Sequence, residues 1–129
     1  MKFLSLWLLA IAFLFLVSGT RGAVISYQSR MPRDEADKLA DAIWHAEGGR
    51  LTKYPYGIKS VRVSSVSEAR QVCLNTINHW WRNWALAGKP GAFVEYLGDS
   101  YCPRSADPKG HEYWIDNVNW FLTHPRPVK

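Results

Sequence analysis

The first helix of this chain is predicted to end in the segment Trp44-His45-Ala46-Glu47-Gly48-Gly49. Glu47 continues the helix face on which the apolar residues recur at three- and four-residue steps, so its carboxyl group should enter apolar surroundings. It also lies at the negative end of the helix dipole, and both influences favour the neutral acid. We therefore expect Glu47 to keep its proton near neutral pH, as a general acid must. The apolar face consists of Ala36, Leu39, Ala40 and Ile43.

Residues 1–22 are predicted to be a secretory signal peptide. Lys2 supplies the positive start, residues 3–17 are apolar apart from Ser5, and small residues follow for cleavage. The apolar run is shorter than the ~20 residues that span a bilayer, which favours removal over a membrane anchor. Residues 23–129 are enough for one domain and too few for two. We expect an exported monomer, periplasmic or secreted, with no stable membrane insertion after signal removal.

Two cysteines, Cys73 and Cys102, are predicted to form a disulfide, because an exported chain meets an oxidising compartment. The bond would close a loop of about thirty residues and contribute roughly 3–4 kcal/mol in the chain-entropy model. The alternative is a reactive Cys73 thiol that works with His79, but this pair lacks an orienting third group at a recognisable spacing.

The charge balance indicates the class of partner. The net charge is +5, and loss of Lys2 and Arg21 with the signal leaves 14 basic against 11 acidic residues. This mild surplus suits an anionic polymer such as cell-wall glycan, whereas export and the scattered basic residues argue against nucleic acid. The four histidines have no metal-ligand spacing, and His45-Ala46-Glu47 lacks the cysteines of a zinc deaminase. No metal and no cofactor are expected.

Four helices are predicted. The first follows Pro32-Arg33-Asp34, with Asp34 as its cap, and the second opens with the capping pattern Ser65-Val66-Ser67-Glu68. The third is short and should stop at Gly98, and the last ends at His124-Pro125. Most tryptophans are expected in the core because each ring buries a large area.

The segment from Arg50 to Ser65, hereafter the lip, is predicted to be extended because Tyr54, Tyr56 and Ile58 alternate. It is either a lip beside a ligand, with Gly57 permitting a close approach, or a plain connecting hairpin whose tyrosines cover the core. The spacing alone favours neither alternative.

Together these segments resemble the small bacterial and phage lysozyme-like proteins related to lytic transglycosylases. The resemblance covers about residues 33–122. Its motifs are a helix ending in Glu-Gly-Gly, the Tyr54-Pro55-Tyr56-Gly57-Ile58 part of the lip, and the segments 93–103 and 114–118. It implies an α+β, mostly α, lysozyme-like fold with about four helices, a short hairpin or lip after the first helix, and a groove between the lip and the helices.

The resemblance implies that Glu47 is the catalytic acid and that the lip borders the sugar site. The candidate substrate-binding residues come from the lip and from the Tyr-Cys-Pro segment: Tyr54, Tyr56, Gly57, Ile58, Ser60 and Tyr101. The chain departs from the usual Gly-Leu-Met-Gln pattern at Gly57-Ile58-Lys59-Ser60 and has no Ala-Tyr-Asn-Ala-Gly segment.

The expected activity is cleavage of the β-1,4 bond between N-acetylmuramic acid and N-acetylglucosamine in peptidoglycan, by a lytic transglycosylase-type or muramidase reaction. No second carboxylate follows Glu47 within the lip, which favours a route in which one carboxylate is acid and then base. Asp99 could approach through the fold and restore a water-using muramidase. The alternative is a non-catalytic cell-wall-binding or inhibitor protein on a lysozyme-like scaffold.

Overall fold

The computed structural model describes residues 30–129, so the predicted signal peptide lies outside the described residues. This part of the chain is mainly α and contains the four predicted helices. None of the described helices combines the length and the apolar character that a membrane crossing requires. The helices are α1 (Arg33–Ala46), α2 (Val66–Leu86), α3 (Phe93–Tyr101) and α4 (Pro108–Thr123).

The ends of α1 and α2 follow local sequence signals. Glu47 is the C-cap of α1, and Gly48 follows with a φ of 95°, the left-handed conformation that glycine adopts readily at helix ends. Asp34 lies inside the first turn of α1 instead of capping it. At the start of α2 the Ser65 side chain accepts a hydrogen bond of 3.1 Å from the backbone N–H of Glu68, which confirms the predicted N-cap.

The predicted stop of α3 at Gly98 is wrong, because the helix continues to Tyr101. Gly98 is buried against α4, and a Cβ there would lie 3.2 Å from the His111 ring. Its small size therefore permits close packing of α3 on α4, and this packing outweighs the tendency of glycine to end a helix. The connection from α3 to α4 is therefore short, and Asp107 caps α4 by accepting a 2.9 Å hydrogen bond from Gly110 N–H.

The four helices enclose one core. Helix α1 packs against α2 and most extensively against α4, and α3 lies between α2 and α4. Each helix contributes buried apolar side chains at helical spacing, and a fully buried Ile or Leu side chain contributes about 1.5–3 kcal/mol. The main ones are Leu39 and Ile43 from α1, Cys73 and Ile77 from α2, Phe93 and Leu97 from α3, and Trp114, Ile115 and Val118 from α4.

The predicted hairpin is not formed, since residues 30–129 contain no strand. The connection between α1 and α2 instead makes two single 3-10 turns, Gly49–Leu51 and Pro55–Gly57. Tyr56 and Gly57 have φ values of 58° and 68°, which are outside the extended region that strand pairing requires. The lip therefore folds back onto α1 and α2.

The predicted disulfide is not formed in this structure, in which Cys73 and Cys102 are free thiols. Cys73 is buried on the inner face of α2, and its Sγ lies 3.6 Å from the hydroxyl group of Tyr101. Cys102 caps α3, and its Sγ is 3.9 Å from the backbone oxygen of Asp107. The two thiols are therefore directed to different partners.

Candidate active site

Glu47 is half-buried at the end of α1, and its carboxyl group is oriented by α4. The indole Nε1 of Trp114 donates a hydrogen bond of 2.7 Å to Glu47 Oε1. Trp114 is itself held in place, because its nearly buried ring stacks on Tyr101 with 4.8 Å between centroids and 19° between planes. No hydrogen bond from residues 30–129 reaches Oε2. Trp114 thus engages one carboxyl oxygen and leaves the other without a hydrogen-bond donor among the described residues.

The lip contacts Glu47 through Gly57. A Cβ at residue 57 would lie 2.6 Å from Cδ of Glu47 and 2.8 Å from each carboxyl oxygen. The backbone of Gly57 also has a positive φ of 68°. Glycine alone satisfies both conditions without strain. Gly57 therefore permits a close approach of the lip to the carboxyl group of Glu47, whereas its approach to a ligand stays a prediction.

A groove of about 440 Å³ lies between the lip, α2 and α3. Its volume falls within the range of ~300–1,000 Å³ that is typical of small-molecule sites. The carboxyl group of Glu47 is not part of the lining but contacts Gly57, which is. Four candidate substrate-binding residues line the groove: Gly57, Ile58, Ser60 and Tyr101. The other lining residues are Lys59, Val72, Thr76, Trp80 and Ser100.

Tyr54 and Tyr56 do not line the groove. Tyr54 is 38% exposed, and the ammonium groups of Lys53 and Lys59 lie 5.4 and 5.8 Å from its ring centroid. Tyr56 is fully buried, and its ring packs against Trp44 with 5.0 Å between centroids. Tyr56 therefore covers the core, as the second interpretation of the lip expects, whereas Tyr54 lies on the surface.

The lip is rich in positive charge, and one of its basic residues, Lys59, lines the groove. Between Gly48 and Ser67 the chain has four basic residues and no acidic one. Among the described residues that line the groove, Lys59 is the only charged one. A positively charged wall raises the local concentration of anionic ligands, so this side of the groove suits a carboxylate or a phosphate. The four basic residues are Arg50, Lys53, Lys59 and Arg62.

The buried thiol of Cys73 lies beside the phenol of Tyr101, which lines the groove. Burial raises the pKa of the Cys73 thiol to about 12, although the Tyr101 hydroxyl and the nearby Arg70 charge act in the opposite direction. Burial also raises the pKa of Tyr101, and the adjacent Cys73 adds to the effect. Both groups are neutral at physiological pH. This does not favour the reactive-thiol alternative, and His79 instead contacts Asn83 at 3.1 Å.

Asp99, the alternative second carboxylate, is engaged away from the groove lining. Its Oδ1 accepts a hydrogen bond of 3.4 Å from Arg104 N–H and lies 3.5 Å from Nδ1 of the buried His111. The His111 Nδ1 is also 2.7 Å from the backbone oxygen of Cys102. In the part of the chain that the structure describes, no three His, Cys, Asp or Glu side chains are grouped so that they could hold a metal ion.

The expectation that most tryptophans pack in the core did not foresee that Trp114 and Trp80 also belong to the site. Trp114 is buried and also donates to Glu47, and Trp80 is half-buried and lines the groove. One general signal pointed to a tryptophan near Glu47. A buried indole N–H usually finds an acceptor, and Glu47 was expected to be a buried acid. The two residues are 67 positions apart, however, and no local spacing connects them.

No family model matches the chain, and neither a curated protein nor a solved structure matches it. The geometry of Glu47, the lip and the groove is therefore the basis for a functional proposal.

Proposed function

We propose that this protein is a peptidoglycan-cleaving glycosidase in which Glu47 is the general acid and then the general base. The observation that carries the proposal is the arrangement of the Glu47 carboxyl group, which Trp114 holds by one oxygen and which touches Gly57 of the groove wall. A solitary acid held in a partly buried position beside a groove is what protonation of a glycosidic oxygen needs.

The lining of the groove supports a sugar ligand. Trp80 offers an aromatic ring, and the hydroxyl groups of Ser60, Thr76 and Ser100 offer hydrogen bonds. Lys59 adds one positive charge, which suits the carboxylates carried by muramic acid and by peptide stems. Ile58 and Tyr101 complete an apolar surface. The proposal includes export with removal of residues 1–22, because peptidoglycan lies outside the cytoplasm.

The position of Asp99 supports a lytic transglycosylase-type reaction over a two-carboxylate muramidase. Asp99 contacts Arg104 and His111 and does not line the groove. In the proposed reaction Glu47 gives its proton to the bridging oxygen as the bond to the anomeric carbon of muramic acid breaks. The resulting carboxylate then takes the proton of the same sugar's 6-hydroxyl group, whose oxygen closes the 1,6-anhydro ring on that carbon.

The test is clearance of a peptidoglycan suspension by the purified protein and by its Glu47→Gln variant. We expect the wild type to clear the suspension and Glu47→Gln to lose clearance while it keeps its fold and its binding to glycan. The matched control is Glu112→Gln, which changes an exposed acid of α4 and should leave clearance unchanged. Mass spectrometry should find anhydro-muramic ends, whereas reducing ends would assign a muramidase.

A non-catalytic cell-wall-binding protein is the second candidate function. It is favoured by one observation, that the Glu47 carboxyl group lies behind Gly57 and outside the groove lining. This candidate replaces the enzyme if the wild type and Glu47→Gln bind glycan equally and neither clears it. Absence of both binding and clearance would reject both candidates.

A further inference from the structure

Arg70 of α2 connects α1 to the lip. Its Nη2 donates a hydrogen bond of 2.9 Å to Oδ1 of Asp37, and its Nη1 donates a hydrogen bond to Oδ1 of Asp41. The same Nη1 lies 3.4 Å from the hydroxyl oxygen of Tyr56. The guanidinium group thus joins two carboxylates of α1 to a tyrosine of the lip.

Arg70 is partly buried and remains charged. Partial burial alone would lower the pKa of Arg70, but hydrogen bonds with Tyr56 and Asp41 raise it above its usual value. A planar guanidinium group can hold several acceptors at once in a defined geometry, which a lysine ammonium group cannot do. Arg70 is therefore suited to hold the lip in one position.

Tyr56 has a specific need for such an anchor. Its φ of 58° lies in the left-handed region, which a residue with a side chain adopts only when its surroundings hold it there. The ring packs on Trp44, and the hydroxyl group is held by Arg70. The next residue is Gly57, whose Cα lies against the carboxyl group of Glu47. The position of Tyr56 consequently determines where Gly57 meets Glu47.

We propose that Arg70 is a positioning residue, which acts through Tyr56 to hold Gly57 against Glu47 and so sets the orientation of the Glu47 carboxyl group. Arg70 lies outside the groove lining and reaches the acid only through the lip. The effect of Arg70 on catalysis rests on the proposed function, whereas the effect of Arg70 on the Glu47–Trp114 hydrogen bond does not.

The test follows the indole N–H resonance of Trp114 by NMR, because this group donates directly to Glu47. The resonance is assigned by its loss in Trp114→Phe. We expect Tyr56→Phe, which removes one hydroxyl group, and Arg70→Met, which removes all three contacts, to shift this resonance, with the larger shift in Arg70→Met. Arg70→Lys keeps the charge but loses the planar set of N–H donors, so its resonance should lie between those of the wild type and Arg70→Met.

The kinetic expectation is a loss in kcat with little change in KM, because the groove residues of α2 and α3 are retained while the acid is misplaced. A misplacement of about 1 Å can lower a rate by ~10²-fold, so we expect about tenfold for Tyr56→Phe and about a hundredfold for Arg70→Met. A merely structural role would instead lower thermal stability and leave the kinetics of the folded fraction unchanged.

The matched control is Arg33→Met. Arg33 pairs with the same Asp37, at 3.9 Å, but from the solvent side, with 95% of its side chain exposed. It should change neither the resonance nor kcat. The proposal is overturned if Tyr56→Phe and folded Arg70→Met leave the resonance of Trp114 at its wild-type position. If the wild type proves inactive, the proposed function fails, and the resonance still decides the role of Arg70.

Discussion

The Cα of Gly57 lies so close to the carboxyl group of Glu47 that a Cβ at residue 57 would stand 2.6 Å from Cδ of the acid. Two segments of the chain, the end of α1 and the second turn of the lip, meet at this contact. Since real Cβ atoms do not approach a carboxyl carbon so closely, either the lip or Glu47 must move when residue 57 carries a side chain.

Gly57→Ala should therefore disable the site. The substitution adds this clash to the backbone strain of a positive φ, which costs about 1–3 kcal/mol. We expect a decrease of that order in the free energy of unfolding and a loss of peptidoglycan clearance of about 10²-fold or more, because Glu47 is displaced. Urea unfolding and turbidity measurements check the two effects.

Gly88→Ala separates the clash from the strain. Gly88 has a φ of 83°, but a Cβ there would meet nothing within 4 Å. It should lose stability to a similar degree and keep its clearance activity. Equal activity of the two variants would contradict the importance of the Gly57–Glu47 contact.

Trp114→Phe should lower activity while the helix packing is retained. The substitution keeps an aromatic ring that can stack on Tyr101 but removes the N–H that donates to Glu47 Oε1. We expect kcat to fall about tenfold or more, because the carboxyl group loses its orientation. Trp120→Phe is the control, since Trp120 is an exposed tryptophan of the same helix. Parallel effects in the two variants would show that the indole contact to Glu47 has no special role.

The buried thiol of Cys73 predicts a loss of stability at alkaline pH. Its pKa is raised by burial from 9.0 to about 12, so above about pH 9 the unfolded chain releases a proton that the folded protein keeps. The contribution of this thiol to the free energy of unfolding is fully present below pH 9 and is lost as pH rises towards 12. Cys73→Ala should therefore weaken the dependence of the unfolding free energy on pH, by up to about 1.4 kcal/mol per pH unit.

Cys102→Ala is the matched control for this dependence. Burial and the neighbouring Asp107 raise the pKa of Cys102 as well, but this thiol is half-exposed at the end of α3, so its effect should be smaller. Denaturant unfolding at several pH values between 8 and 11 measures the three slopes. If the slope of Cys73→Ala equals that of the wild type, the thiol does not remain protonated in the folded protein. Thiol titration after denaturation without reductant should find both cysteines free.

Lys59→Gln should weaken the binding of anionic glycan. Lys59 is the only charged side chain among the described residues of the groove lining, so its removal takes away the local attraction for carboxylates. We expect KM to rise by a few fold at low salt, with a smaller difference at high salt because of screening. Lys89→Gln is the control, since Lys89 lies over Trp84 outside the groove lining. An increase in KM that persists unchanged at high salt would show that charge is not the cause.

Much of the helical framework was predictable because its signals are local. The capping pattern at Ser65 and the apolar repeat that ends at Ile43 each involve residues within one or two helical turns. Such signals can be recognised without knowledge of any tertiary contact. Gly98 shows their limit, because its sequence context reads as a helix stop, whereas packing against His111 and Trp114 requires a small residue inside the helix.

The sequence by itself determined that an acid, Glu47, ends the first helix on its apolar face, since helix periodicity and the glycines after it act over a few residues. Only the tertiary structure decided what that acid meets. The alternation of Tyr54, Tyr56 and Ile58 predicted a strand, but packing on Trp44 and a contact with Arg70 hold the Tyr56 side chain in the interior. Trp114 reaches Glu47, and Cys73 meets Tyr101 instead of Cys102, because packing joins residues that are far apart in the chain.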